Sequence, residues 1–188
     1  MAKRHISFSE LKTWAECPYK HKLKYIDGIN GFTGNAFTAF GTAIHSVCEF
    51  IAKGELDPID YDEHFDLAFL CELKKLEEKP DNQMIADMRQ QGREISPSVF
   101  PQLKKHFGDY EVYSTEEMLY ETIEELTYKW HLKGFIDLVI KTTDGKYHIL
   151  DWKSCSWGWD AKKRSEKLVT YQLTLYKKFF CKKHNIDP

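Results

Sequence analysis

Between residues 36 and 53 apolar side chains recur every three or four positions, as Phe37, Phe40, Ile44, Val47, Cys48 and Ile51. That spacing predicts an amphipathic helix over Ala36–Lys53. Gly41 lies inside it at a cost to helix stability, which points to close packing or to a ligand near the backbone. His45 follows one turn later on the same face. The helical period returns over Tyr61–Glu78 (Phe65, Ala68, Phe69, Leu73, Leu76), over Gln83–Gln91, from Pro97 to about His106, and over Glu166–Lys183 (Leu168, Leu173, Leu175, Tyr176, Phe179). Upstream, Ser7-Phe8-Ser9-Glu10 has the Ser-x-x-Glu form of a capping box. The helix it starts carries Leu11 and Trp14 inward and stops before Cys17-Pro18. Pro18 opens the next helix, with Tyr19, Leu23 and Ile26 at helical spacing, and Asp27–Asn35 reads as a loop.

From Glu111 the residue types change. Val112-Tyr113, Met118–Ile123 and Leu126–Trp130 are rich in aromatic and β-branched residues and read as strands. Two more apolar runs, Gly134–Ile140 and Tyr147–Lys153, flank a connector whose Asp144-Gly145 is a hairpin-turn signal. Ser154–Trp159 reads as a loop. Helices, then strands, then a helix predict an α/β (α+β) protein with a central mixed sheet flanked by helices. One domain is expected, with a helical part over about 1–110 and the sheet and closing helix over about 111–188. Asn185–Pro188 reads as a loop leaving a helix, so a further strand beyond Pro188 is expected.

The chain has 188 residues, 42% hydrophobic and 30% charged, with a net charge of -2. This suits a globular core and excludes a global basic signature for nucleic acid. Lysines nevertheless gather near both ends and acids over Glu55–Asp66 and Glu116–Glu125, a pattern that solvated helix faces explain on charge alone. The five cysteines include no CxxC pair. With no signal peptide and no apolar run of membrane-spanning length, the expectation is a soluble protein with free thiols, in the cytoplasm.

The chemistry sits in the hairpin. Asp151 and Lys153, two apart on a strand, share a face, and Asp137 on the partner strand can point into the same space. Carboxylates are the hard ligands that Mg2+ or Mn2+ takes, and an adjacent lysine can hold a water or stabilise charge building on a phosphate. An imidazole from His45 would tilt such a site towards Mn2+. The competing reading of Asp151 and Lys153 is a surface salt bridge. For His45 alone the competing reading, a satisfied histidine at a helix edge, is the stronger.

These residues resemble the PD-(D/E)xK nuclease superfamily, and within it the RecB-like branch that includes CRISPR-adaptation nucleases and phage exonucleases. Ile6-Ser7-Phe8-Ser9-Glu10-Leu11 through Cys17-Pro18-Tyr19-Lys20 and Tyr25 is similar to that branch's opening helix and CP turn. Phe40-Gly41-Thr42-Ala43-Ile44-His45 is similar to its glycine-to-histidine helix motif. Gly134-Phe135-Ile136-Asp137 resembles its G-x-x-D strand, and Asp151-Trp152-Lys153-Ser154 its D-x-K strand. Tyr171-Gln172-Leu173-Thr174-Leu175-Tyr176 resembles its closing Q-L-x-x-Y helix motif.

The resemblance implies a restriction-endonuclease-like core and a Mg2+- or Mn2+-dependent deoxyribonuclease. An exonuclease acting on DNA ends in recombination, repair or phage DNA metabolism is the favoured subtype. An endonuclease, a flap nuclease or a non-catalytic DNA- or protein-binding module is the alternative. It implies a bacterial or phage-infected host cell. His45, Asp137, Asp151 and the Trp152 backbone carbonyl would be metal ligands, and Lys153 would position or activate the attacking water. Gln172 and Tyr176 would hold Lys153 or the DNA backbone; packing of an amphipathic helix explains Tyr176 equally well. A further acid expected before G-x-x-D is Glu116 or Glu117, not both. Some members bind an iron–sulfur cluster through the CP cysteine and three later ones. Cys17 has only Cys181 for company near the end, so no cluster is expected. Trp157 and Trp159 could stack on unpaired bases, and Lys162, Lys163, Arg164 and Lys167 could track phosphates.

Overall fold

A computed structural model describes residues 4–29, 31–155 and 166–187. It is a mixed α/β structure with a four-stranded sheet. The strands are β1 (His5–Ile6), β2 (Tyr110–Ile123), β3 (Trp130–Thr142) and β4 (Tyr147–Leu150). The order is β1-β3-β2, with β4 also on β3. β1 runs parallel to β3 and β4 antiparallel to it, so the sheet is mixed as expected. The helices are α1 (Phe8–Glu16), α2 (Pro18–His21), α3 (Ala36–Lys53), α4 (Tyr61–Leu73), α5 (Asn82–Ile95), α6 (Val99–Phe107) and α7 (Lys167–His184). The described residues divide into two compact units, one from Phe32–Thr115 and Asp137–Ser156, the other from Met1–Gly31, Glu116–Ile136 and Trp157–Pro188.

In the first unit α3 keeps the predicted ends because both are chemically specified. Asn35 and Thr38 form a reciprocal cap, and Gly54 leaves the helix at φ 70, a left-handed conformation that glycine adopts without a Cβ clash. The core packs Phe40, Val47, Cys48, Phe65 and Phe69, with the Phe40 ring edge-on to both other rings. Phe37, predicted inside, is half exposed, and the small Ala36, Ala39 and Ala43 line the buried face instead. α4 ends at Leu73 rather than Glu78 because its last turn tightens, with Lys75 N donating to Glu72 O at 3.1 Å. α5 extends past Gln91 to Ile95, where Arg89 and Arg93, one turn apart, both clamp the Asp66 carboxylate. A Cβ on Gly92 would lie 2.0 Å from Cζ of the buried Phe65, so only glycine lets α5 approach.

In the second unit Ser7 caps α1 by accepting from Glu10 N at 3.2 Å, and the Glu10 carboxylate meets His21 Nε2 at 3.1 Å. α1 turns Phe8, Glu10 and Thr13 inward, and Trp14 is 57% exposed, the reverse of its expected placement. After α2 the chain runs through a wide π turn at Lys22–Ile26, which leaves Tyr19 and Ile26 exposed. β1 was not foreseen; its pairing is fixed by His5 opposite His131 and Ile6 opposite Leu132. The segments expected as two strands are one 14-residue strand, β2. Leu126–Trp130 is not a strand: Leu126 and Tyr128 are exposed in a turn, and β3 begins at Trp130. No helix among the described residues is long and apolar enough to cross a membrane.

Candidate metal centre

The hairpin forms where the Asp144-Gly145 signal places it. Gly145 has φ 83, Gly145 N donates to Thr142 O at 2.8 Å, and Thr142 N donates to Lys146 O at 3.0 Å. The register pairs Leu138 with Leu150, so the next opposed positions are Asp137 and Asp151. Opposed residues project from one face, which sends both carboxylates the same way. The ladder itself stops at Leu150, earlier than the run to Lys153 suggested. The reason lies in Asp137: its Oδ2 accepts from Trp152 N at 2.5 Å, in place of a backbone partner. Alternation nonetheless persists past the ladder. The Trp152 ring packs on the helical core against Phe100, while Lys153 Nζ turns back to pair with Asp151.

α3 supplies the histidine. His45 Nε2 donates to Trp152 O at 3.0 Å, and its Nδ1 lies 3.6 Å from Asp137 Oδ1. The close approach predicted at Gly41 is met by Ser154, whose Oγ would be 3.2 Å from a Cβ there. His45, Asp137, Asp151, Trp152 and Lys153 therefore converge within one unit. The salt bridge between Asp151 and Lys153 is also present, so that reading and the metal reading describe the same pair.

The electrostatics fit a cation. Asp137 is buried, which raises its carboxyl above the usual aspartate range, and the charge of Asp151 adds to this. His45, the Trp152 N–H and Lys153 oppose the rise. Both His45 nitrogens face acceptors, yet a neutral imidazole carries one N–H, so one acceptor meets a lone pair unless positive charge sits there. A divalent ion fits this donor set of carboxylates, carbonyl oxygen and imidazole. Sequence reasoning placed Cys48 on the apolar face of α3 and missed the Trp152 N–H. Cys48 stands one turn beyond His45, and burial, aided by the Asp137 charge, pushes its thiol up to about 12, which makes it inert packing rather than a ligand. Nothing in the residue pattern marks the Trp152 N–H, because it depends on where the ladder ends.

The other unit holds the remaining predicted residues that are described. Gln172 Nε2 donates to Tyr176 Oη at 3.3 Å, one turn apart on α7. Tyr176 is buried, and its Cε1 lies 2.9 Å from where a Gly134 Cβ would be. Gly134 leaves room for the Tyr176 ring. Glu117 is buried and takes Lys183 Nζ at 2.9 Å together with His184. Trp157, Trp159, Lys162, Lys163 and Arg164 lie outside the described residues; Lys167 begins α7 and is exposed.

No match is found among curated proteins. A family model, described as the PD-(D/E)XK nuclease superfamily, matches residues 5–186.

Proposed function

The chain belongs to the PD-(D/E)XK nuclease superfamily, and from that premise we propose that it is a Mg2+- or Mn2+-dependent deoxyribonuclease. The observation that carries the reading is the convergence of His45, Asp137 and the Trp152 carbonyl beside the Asp151–Lys153 pair. His45, Asp137, Asp151 and the Trp152 carbonyl hold the ion. Bound there, a divalent cation supplies Lewis acidity to the scissile phosphate and favours ionisation of the attacking water. Asp151 aims the Lys153 ammonium, which positions or activates that water and offsets charge growing on the phosphate. Gln172 and Tyr176 are assigned to the DNA backbone.

The subtype proposed is an exonuclease of the RecB-like branch acting on DNA ends, in recombination, repair or phage DNA metabolism. It rests on the sequence resemblance of the terminal motifs. Incubation with linear and with closed circular DNA, in Mn2+, in Mg2+ and in EDTA, tests it. Metal-dependent loss of linear DNA alone supports the exonuclease, nicked circles make it an endonuclease, and no cleavage with either ion overturns the nuclease reading.

A further inference from the structure

Within the second unit the sheet has two unlike faces. Residues 132, 134 and 136 of β3 and 117 and 119 of β2 point towards α7 or into the core: Leu132, Ile136 and Leu119 are buried, Gly134 meets Tyr176, and Glu117 meets Lys183 and His184. Alternation sends the intervening residues to the opposite face. There the Tyr120 and His131 rings stack at 4.6 Å with an interplanar angle of 19°, and His5 lies 6.1 Å from Tyr120. Phe135 and Met118 share this face, and it is open: Tyr120 and Phe135 are each 45% exposed and Met118 51%. Such an apolar surface on a sheet is costly to leave in water and marks a binding face.

We infer that this face, with Tyr120 and Phe135 as its rings and Lys133 as its cation, is a stacking platform for single-stranded DNA. This deepens the nuclease reading by naming its substrate class, and it rests on that reading for the choice of nucleic acid. Three observations select the occupant. The face is built of flat rings, which take the π-faces of successive bases whatever their sequence. It carries no acid at positions 5, 118, 120, 122, 131, 133 or 135, and Lys133 has no ion pair among the described residues, so it complements a phosphate chain. The strand that bears Phe135 continues two positions to Asp137, the carboxylate assigned to the ion. Bases stacked in a duplex do not offer their faces to a sheet, so the platform selects unpaired strands.

The test is fluorescence anisotropy with the whole protein and a labelled oligothymidylate, in EDTA so that nothing is cut. A blunt duplex of equal length serves as the comparison. Replacing both rings, Tyr120→Ala with Phe135→Ala, weakens single-strand binding by roughly 100-fold, about tenfold for each ring. The pair Tyr120→Phe with Phe135→Tyr restores it, and duplex binding changes much less. Both rings are exposed, so folding is checked simply by unchanged circular dichroism. Equal single-strand affinity in the folded alanine variant overturns the platform. So does a change in sedimentation from an oligomer to a monomer, which makes the face a contact between copies. Ring-dependent binding by a protein that cuts no DNA in Mn2+ keeps the platform and removes the nuclease; cleavage with ring-independent binding does the reverse.

Discussion

Replacing Asp137 by asparagine should stabilise the metal-free protein and abolish its response to metal. The buried carboxylate accepts from Trp152 N and stands beside His45, with the Asp151 charge raising the cost of ionisation. Asparagine keeps the useful half of this arrangement. Its Oδ1 can still accept from Trp152 N, and its amide can donate to His45 Nδ1, which leaves Nε2–H for Trp152 O. The asparagine variant therefore sheds a buried charge without orphaning a partner. The part of that burial which its partners leave uncompensated costs about 1–3 kcal/mol, and at this chain length 1 kcal/mol moves Tm by roughly 2–4 °C. In EDTA the variant should melt roughly 2–12 °C above wild type. Metal reverses the order: at a hundred times its Kd an ion that binds only the folded state adds about 2.7 kcal/mol, and only wild type gains it. Calorimetric melts over a Mn2+ series, with EDTA as the starting point, read both effects. A variant less stable than wild type in EDTA, or one with the same Mn2+ shift, would refute the claim that Asp137 is a buried, cation-seeking ligand.

Lys153→Ala should lower the rate of DNA cleavage by about 100-fold or more and leave the Mn2+-induced rise in Tm intact; a variant that cuts at the wild-type rate removes lysine from the mechanism. Gly92→Ala drives a methyl into the Phe65 ring and should cost about 1–3 kcal/mol, read as a lower urea midpoint, while Gly92→Ala combined with Phe65→Leu should lose less than the two single changes added. Arg89, and after it Arg93, hold the Asp66 carboxyl below the usual range. A lowered folded value means stability that is present above the unfolded value near 4 and is lost as pH falls through the folded one. Asp66→Asn should therefore flatten the loss of stability below about pH 4, and an unchanged acid slope would show that the pair carries none of it.

The legible parts of the fold share a trait: local chemistry specified them. α3 was readable to both ends because Asn35, Thr38 and Gly54 write its caps into neighbouring residues. The turn at Gly145 was readable for the same reason, and the hairpin followed. At the site, Asp137, Asp151 and Lys153 were named from residue type and spacing and His45 through the family resemblance, and the structure brings these four together. The misses were of another kind. Trp14 and Phe37 were placed inside on periodicity, but burial needs a partner, and both face solvent. β1 is two residues long and exists only because β3 offers it an edge. Glu116 and Glu117 are indistinguishable as letters, and only the structure shows that Glu117 pairs with Lys183 and His184 of α7.

The sequence by itself determined the class of the fold, the hairpin that carries Asp137 and Asp151, and the residue types that seek a cation, because turns, caps and alternation are short-range and each is decided within a few residues. Tertiary structure alone decided which groups satisfy one another. The Trp152 N–H on Asp137, the Trp152 carbonyl on His45 and the glycines opposite Phe65 and Tyr176 join residues far apart in the chain. So does the open ring face on the sheet, whose rings come from three strands. Such contacts depend on the register of packed elements, and a one-residue slip in a strand would send all of that strand's side chains to the other face.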